Sequence, residues 1–266
     1  MKKLILQGSS RCGTTITRDI LSAHPKIWLT NELRIFFDQN PSRFAMGPCL
    51  YAETAEEYFT ALKNKVIKGE GVKYHKFPPG FNFDRMVELC MAHLKEDTLE
   101  GRLDAVIGAL VGNNDFEWFG DKQARPNVLL KMYELGIDYK LIVIHRDGRD
   151  VAASGARHKR ESLPPWSNDP VENADHWAAV FENQLPLFEK LDPSMYVVIR
   201  FEDYILEPDK NFELIGELLG INPNEFDKAM FNKEDAHMGY YLQWCPDWKQ
   251  TFTHRSKAML KRLGYI

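Results

Sequence analysis

The segment from Leu4 to Pro25 constrains the fold most, because it joins an apolar run, a glycine-rich loop and a helical pattern. Leu4 to Leu6 predict the start of a short buried strand, and TTITRDILSAHP predicts a helix that stops before Pro25. A strand, a glycine-rich loop and a helix in this order are typical of an α/β domain that holds an anion at the loop.

The loop itself, GSSRCGTT at positions 8–15, nearly matches the phosphate-binding pattern G-x-x-x-x-G-K-[ST], but Thr14 stands where the lysine belongs. The glycines let the main chain pass close to phosphate oxygens, and the first N–H groups of the following helix point at the anion. An ordinary strand-to-helix turn with helix-capping threonines would have the same pattern. The loop alone therefore leaves both interpretations open.

Further along the chain, apolar stretches alternate with helical patterns. YKLIVIHRDGRDVAASGARHKR and YVVIRFEDYILEPDKNFELIGELLGI each predict a strand that leads into a helix, and GDKQARPNVLLKMYELGI predicts a loop that leads into a helix. The alternation predicts an α/β fold with three layers, a parallel sheet flanked by helices. We expect one domain over residues 1–266, with a mainly helical region around 40–119 that binds the acceptor.

Composition narrows the choice of partners. A net charge of -4 and a pI near 6.1 argue against a protein that coats nucleic acid or anionic membrane. The four cysteines form no C-x-x-C pair, which indicates free thiols rather than a zinc site or disulfides. The amino-terminal apolar run is too short for a signal peptide and no stretch is long enough to span a membrane, so we expect a cytoplasmic protein.

A second anion site is indicated by LIVIHRDGRDVAAS. In a metal-dependent P-loop enzyme an acidic residue that holds Mg²⁺ should end this strand, but here it ends in His145 and Arg146. Arg146, followed by a helix that carries Ser154, is typical of a phosphate grip. Alternatively, Arg146 pairs with Asp150 or Glu202, and Ser154 is only a small residue in a packed face.

Together these motifs resemble the family of sulfotransferases that use 3′-phosphoadenosine 5′-phosphosulfate (PAPS). The phosphosulfate loop of that family resembles Arg11-Cys12-Gly13-Thr14-Thr15, and its 3′-phosphate motif resembles Arg146 with Ser154. The stretch IRFEDYILEPDKNFELIGELLGI, Trp248-Lys249 and Leu263-Gly264-Tyr265 extend the likeness to both ends of the chain. The nearest branch includes the tyrosylprotein and heparan-type sulfotransferases.

The resemblance implies a P-loop NTPase-like sulfotransferase fold, PAPS as donor, adenosine 3′,5′-bisphosphate as product and no metal requirement. Because PAPS has no γ-phosphate, the loop needs no Walker lysine, and its cation lies at Arg11 instead. The implied donor-binding residues are Arg11, Cys12, Gly13, Thr14, Thr15, Arg146, Ser154, Trp248 and Lys249. Trp248 could instead be a core residue, as tryptophan more often is, and Cys12 is either a reactive thiol or a small residue in the place of the family's serine.

Three residues are predicted to be catalytic by the same resemblance. Glu32, which follows the predicted strand Ile27 to Leu29, would take the acceptor's proton, while Arg11 and Lys122 would stabilise charge at the bridging oxygen. Arg34 would bind and steer an anionic acceptor, or it would hold Glu32 ionised. Alternatively, Glu32 and Arg34 form a surface ion pair that contributes little to stability, and Lys122 is solvated.

The predicted activity is transfer of a sulfuryl group from PAPS to a hydroxyl or amine acceptor, a carbohydrate or another small molecule. Two other classes stay open. A P-loop kinase would explain the loop but would need Mg²⁺ ligands that the sequence does not offer. A non-catalytic nucleotide-binding protein on the same scaffold would bind the nucleotide without turnover. The oligomeric state is not predicted.

Overall fold

The structure is a computed structural model that describes residues 1–31, 99–123, 126–157, 167–230 and 237–266. These residues divide into two compact units. The first consists of the described residues within Met1–Leu6, Arg18–Gln123 and Asn127–Lys140, and the second of those within Gln7–Thr17, Ala124–Pro126 and Leu141–Ile266. The strands are β1 Lys2–Gly8, β2 Ile27–Asn31, β3 Trp118–Gln123, β4 Lys140–His145 and β5 Tyr196–Arg200. The helices are α1 Thr14–Ala23, α2 Leu99–Val111, α3 Pro126–Glu134, α4 Gly148–Arg157, α5 Pro170–Phe188, α6 Phe201–Leu206, α7 Pro208–Leu219, α8 Tyr241–Trp244, α9 Trp248–Thr251 and α10 His254–Arg262.

The five strands in the described part of the chain form one parallel sheet in the order β2-β3-β1-β4-β5, flanked by helices. The predicted α/β fold is confirmed. β1 and β4 are buried over almost their whole length, as expected for parallel strands that are covered on both faces. The carboxyl ends of parallel strands meet at one edge of a sheet, which is where such folds bind ligands.

In the first unit, β2 and β3 pair in parallel, with Ile27 opposite Trp118 and Asn31 opposite Lys122. The loop predicted from the sequence over Gly120 to Gln123 is wrong, because these residues belong to β3. The physical reason is tertiary pairing, which overrides the weak strand propensity of glycine and charged residues. The Thr30 hydroxyl donates to the buried Asp121 carboxylate at 2.6 Å and ties the two strands together.

The second unit contains β4 and β5, which pair in parallel from Leu141 opposite Tyr196 to His145 opposite Arg200. The longest helix among the described residues, α5, is capped by Asp169, whose carboxylate accepts from the Val171 N–H at 2.8 Å. The start of α4 lies against the Trp177 ring, since a Cβ at Gly148 would be 2.5 Å from that ring. The predicted strand-then-helix arrangements at β4 and β5 are confirmed.

Some predictions fall on residues outside the described ranges. Glu32 and Arg34 are among them, as is most of the region around 40–119, of which α2 and β3 are described. The expectation of a single domain stays a prediction. Within the described residues, no helix is long and apolar enough to cross a membrane.

Candidate anion-binding site

The glycine-rich loop follows β1 and leads into α1, as the sequence predicts, and its two glycines leave no room for a side chain. A Cβ at Gly8 would be 2.5 Å from the Ile144 carbonyl oxygen, and one at Gly13 would be 2.1 Å from the Phe201 ring. Gly13 also has a φ of +88°, which L side chains rarely adopt. The loop main chain is therefore pressed against β4 and the start of α6 and presents the amino terminus of α1 as a cradle for an anion.

Arg11 links this loop to helix α4. Its φ of +70° is in the left-handed region, which is uncommon for a residue other than glycine. Its Nε donates to the Ser154 hydroxyl at 3.1 Å. Arg146 Nη1 donates to the Arg11 carbonyl oxygen at 3.3 Å. The two anion sites predicted separately from the sequence thus share direct hydrogen bonds, across 143 and 135 positions of chain.

The Arg146 guanidinium is buried, with only 6% of the residue exposed. It lies over the Phe201 ring, 5.2 Å from its centroid, and Nη2 donates to the His237 carbonyl oxygen at 3.1 Å. The same Phe201 ring is the one that Gly13 contacts. Phe201 therefore contacts both the glycine-rich loop, at Gly13, and the Arg146 guanidinium. A buried cation that lies over an aromatic face is stabilised electrostatically by that ring.

Asp150 fixes the segment that follows His237. Its two carboxylate oxygens accept from the main-chain N–H groups of Gly239 at 2.8 Å and Tyr241 at 2.9 Å. Burial raises the pKa of the Asp150 carboxyl, and these two N–H groups and the charge of Arg146 oppose that rise. The sequence suggests Asp150 as an alternative partner for Arg146, and it gives no signal for these main-chain contacts.

A buried polar network lies behind the start of α4. Glu202 accepts from the Asp147 N–H at 2.9 Å and from the Tyr265 hydroxyl at 3.2 Å, and that hydroxyl is 2.9 Å from His145 Nδ1. Burial raises the pKa of Glu202, while burial and then the Arg200 charge lower the pKa of His145 to about 4. The sequence offers Glu202 only as an alternative partner for Arg146, and it gives no signal for the contacts of Tyr265 with Glu202 and His145.

Arg149 joins Trp248 to the polar network around Asp147 and Tyr265. The Arg149 guanidinium lies 4.6 Å from the Trp248 ring centroid and 4.4 Å from that of Tyr241, and it pairs with the Asp147 carboxylate at 2.6 Å. Trp248 is buried, whereas Lys249 is exposed. Their contact with a donor stays a prediction.

The remaining loop residues differ in exposure. Thr14 is buried and Thr15 is exposed at the amino terminus of α1. Cys12 is fully buried, and burial raises the pKa of its thiol to about 12 against the lowering effect of Arg146. At neutral pH this thiol is protonated, which favours the interpretation of Cys12 as a small packed residue over a reactive one.

Lys122 lies near the carboxyl end of β3, half-buried and opposite Asn31. Asn31 is the last residue of β2, and Glu32 follows it in the sequence. Among the described residues, no group of three or more His, Cys, Asp and Glu side chains is arranged to hold a metal ion.

Comparison with known proteins identifies the class. The model of the Sulfotransferase family matches residues 4–225, so the chain belongs to this family. A comparison with curated proteins gives no match.

The solved structures agree on the fold. The sulfotransferase domain from the curacin biosynthetic pathway superposes with a TM-score of 0.59 at 17% identity. The match covers 100% of this chain and 98% of the curacin domain. The sulfotransferase domain of the Synechococcus PCC 7002 olefin synthase has a TM-score of 0.57 at 16% identity, over 100% and 95%. A sulfotransferase from Alicyclobacillus acidocaldarius has a TM-score of 0.50 at 18% identity, over 98% and 96%. The protein is thus an enzyme of the sulfotransferase class, with the sulfotransferase fold.

Proposed function

We propose that the protein transfers a sulfuryl group from PAPS to a hydroxyl or amine of a small-molecule or carbohydrate acceptor. The observation that carries the proposal is the junction of the two predicted grips, in which Arg11 contacts Ser154 and Arg146 contacts the Arg11 main chain. Two cationic grips in direct contact suit a nucleotide that carries one anionic group at its 5′ position and another at its 3′ position.

The residues present fit such a donor. Gly8 and Gly13 let the loop main chain pack directly against Ile144 and Phe201. The first turn of α1 supplies N–H groups and the Thr14 and Thr15 hydroxyls for the phosphosulfate. Arg146 and Ser154 would hold the 3′-phosphate through charge-assisted hydrogen bonds. For this, Arg146 would exchange a carbonyl partner for a phosphate oxygen, which is a stronger acceptor.

Each catalytic group then has a task. Glu32 would take the proton from the acceptor's hydroxyl or amine as its oxygen or nitrogen attacks sulfur, and the bond from sulfur to the bridging phosphate oxygen breaks as the bisphosphate leaves. Arg11 and Lys122 would stabilise charge on that bridging oxygen. A fixed donor of this kind contributes about 3–4 kcal/mol in enzymes, and a positioned base contributes about 10²–10⁴-fold. Arg34 would orient the acceptor.

The experiment is a turnover assay with PAPS and pooled hydroxyl and amine acceptors in the presence of EDTA. Release of adenosine 3′,5′-bisphosphate is quantified by chromatography. We expect turnover by the unmodified protein, loss of at least about 10²-fold in Glu32→Gln because the base is gone, and unchanged nucleotide binding in that variant.

The matched control is Arg255→Ala, which removes an exposed arginine that pairs with Glu182. It should retain full turnover, whereas Arg146→Ala should lose it. Phosphoryl transfer from Mg-ATP without any turnover of PAPS would refute the proposal in favour of a kinase. Tight binding of the bisphosphate with no turnover of PAPS for any acceptor would favour a non-catalytic binding protein.

A further inference from the structure

The two residues that flank Arg146 in the chain are joined to each other by a hydrogen-bond chain through Tyr265. The Tyr265 hydroxyl lies 2.9 Å from Nδ1 of His145, the residue before Arg146, and donates to Glu202 Oε2 at 3.2 Å. Glu202 Oε1 accepts from the main-chain N–H of Asp147, the residue after Arg146, at 2.9 Å. These hydrogen bonds and the backbone from His145 to Asp147 together form a closed ring that includes Arg146.

The direction of each hydrogen bond follows from the chemistry of the groups. The Tyr265 hydroxyl has a single proton, and it is donated to Glu202 Oε2. The Tyr265 oxygen then accepts from His145, which places the proton of the neutral imidazole on Nδ1. Because burial and the Arg200 charge lower the pKa of His145 to about 4, the ring is neutral at pH 7. Every member of the ring therefore has a partner of the correct polarity.

Tyr265 is held by two further contacts. The Arg200 guanidinium lies 4.3 Å from the centroid of the Tyr265 ring. The main-chain carbonyl oxygen of Tyr265 accepts from Arg149 Nη2 at 3.2 Å. Arg149 in turn pairs with the Asp147 carboxylate. Asp147 is thus bound to Tyr265 by two routes, one through Glu202 and one through Arg149, and its position depends on that of Tyr265.

We propose that Tyr265 is a positioning residue for the 3′-phosphate grip, and that it acts through Glu202 on the main chain that carries Arg146. The inference rests on the proposed function, since it assigns Tyr265 to the grip of that donor. A binding group must be held within about 0.5 Å of its productive position by packing and by hydrogen bonds behind it. The ring through Tyr265 supplies this support on both sides of Arg146.

The competing explanation is that the network only stabilises the fold, as buried polar networks often do. The two explanations differ in selectivity. Loss of general stability weakens all nucleotides alike, whereas a shifted Arg146 weakens only those with a 3′-phosphate. Adenosine 3′,5′-bisphosphate and AMP, which differ by that phosphate alone, separate the two.

The test is isothermal titration of both nucleotides into the full chain in EDTA, with Tyr265→Phe. This change removes the hydroxyl and keeps the ring over which Arg200 lies. The matched control is Tyr139→Phe, which also removes a buried hydroxyl hydrogen bond, to the Leu129 carbonyl oxygen at 3.1 Å. We expect Tyr265→Phe to weaken the bisphosphate about 10-fold, the effect of one hydrogen bond, and AMP by less than about 2-fold. Tyr139→Phe should leave both unchanged.

A second comparison tests whether Tyr265 acts through Arg146. If it does, Tyr265→Phe adds no further loss of bisphosphate affinity in an Arg146→Ala background, because the group that it positions is absent. Glu202→Gln breaks the same ring from its other side and should show the same selectivity if Tyr265→Phe does not fold.

The outcomes separate the inference from the function. Equal loss for the bisphosphate and AMP, or the same loss in both Arg146 backgrounds, overturns the role of Tyr265. An unmodified protein that binds the bisphosphate no better than AMP overturns the proposed function itself, whatever Tyr265→Phe does.

Discussion

Substitution of Gly13 by alanine tests the geometry of the loop. The added Cβ would lie 2.1 Å from Phe201 Cε2, 1.3 Å closer than the 3.4 Å at which ordinary contact begins. The left-handed backbone at Gly13 adds about 1–2 kcal/mol of strain, and forcing a methyl group into a packed region adds about 1–3 kcal/mol. We therefore expect Gly13→Ala to lower the free energy of unfolding by about 2–5 kcal/mol.

Gly220 provides a matched control within the same compact unit. Its φ is +67°, and no described atom lies within 4 Å of the Cβ that alanine would add. Gly220→Ala therefore carries only the backbone strain, about 1–2 kcal/mol. In a Phe201→Ala background, Gly13→Ala should cost no more than Gly220→Ala, because the obstructing ring is gone.

Thermal unfolding of the four variants and the unmodified protein measures these differences. About 2–4 °C per kcal/mol is expected for chains of 150–250 residues, so the predicted loss for Gly13→Ala is roughly 4–20 °C. A Gly13→Ala protein no less stable than Gly220→Ala would refute the close contact between the loop and Phe201. So would an undiminished effect of Gly13→Ala in the Phe201→Ala background.

Two further predictions concern pH and the segment after His237. The pKa of His145 is lowered to about 4, from the 6.5 of an exposed histidine. The stabilisation that depends on neutral His145 is therefore complete above pH 6.5. It falls by about 3 kcal/mol as the pH is lowered to 4. The difference in unfolding free energy between the unmodified protein and His145→Asn should shrink by that amount from pH 7 to 4, and parallel curves would contradict it. Asp150→Ala removes the acceptor of two N–H groups, so amide exchange at Gly239 and Tyr241 should accelerate about 10-fold, while exchange at Val171, which bonds to Asp169, stays constant. Unchanged exchange at Gly239 would show that Asp150 does not fix this segment.

The sequence predicts the fold well where local signals and burial agree. β1, the loop and α1 follow from an apolar run, two glycines and a helical pattern before Pro25, and β4 with α4 follows from the same kind of signal. β3 was missed because Gly120, Asp121 and Lys122 interrupt its apolar pattern. Its strand conformation comes from pairing with its neighbours rather than from its own residues.

The site was predicted less completely, for a related reason. Arg11, Arg146 and Ser154 stand in recognisable motifs, and the structure brings them together. The groups that support them do not belong to motifs of known chemistry. Tyr265 meets His145 across 120 positions and Glu202 across 63, and single-sequence patterns carry no information on contacts at such separations.

The most direct test of the central claim is the equilibrium dissociation constant of the unmodified protein for adenosine 3′,5′-bisphosphate, compared with AMP and ATP, each in EDTA and in Mg²⁺. If Arg146 and Ser154 grip a 3′-phosphate, the added contacts are worth about 3 kcal/mol, so the bisphosphate should bind about 100-fold more tightly than AMP, with or without metal. Equal binding of the bisphosphate and AMP, or binding of ATP alone and only with Mg²⁺, would contradict the account.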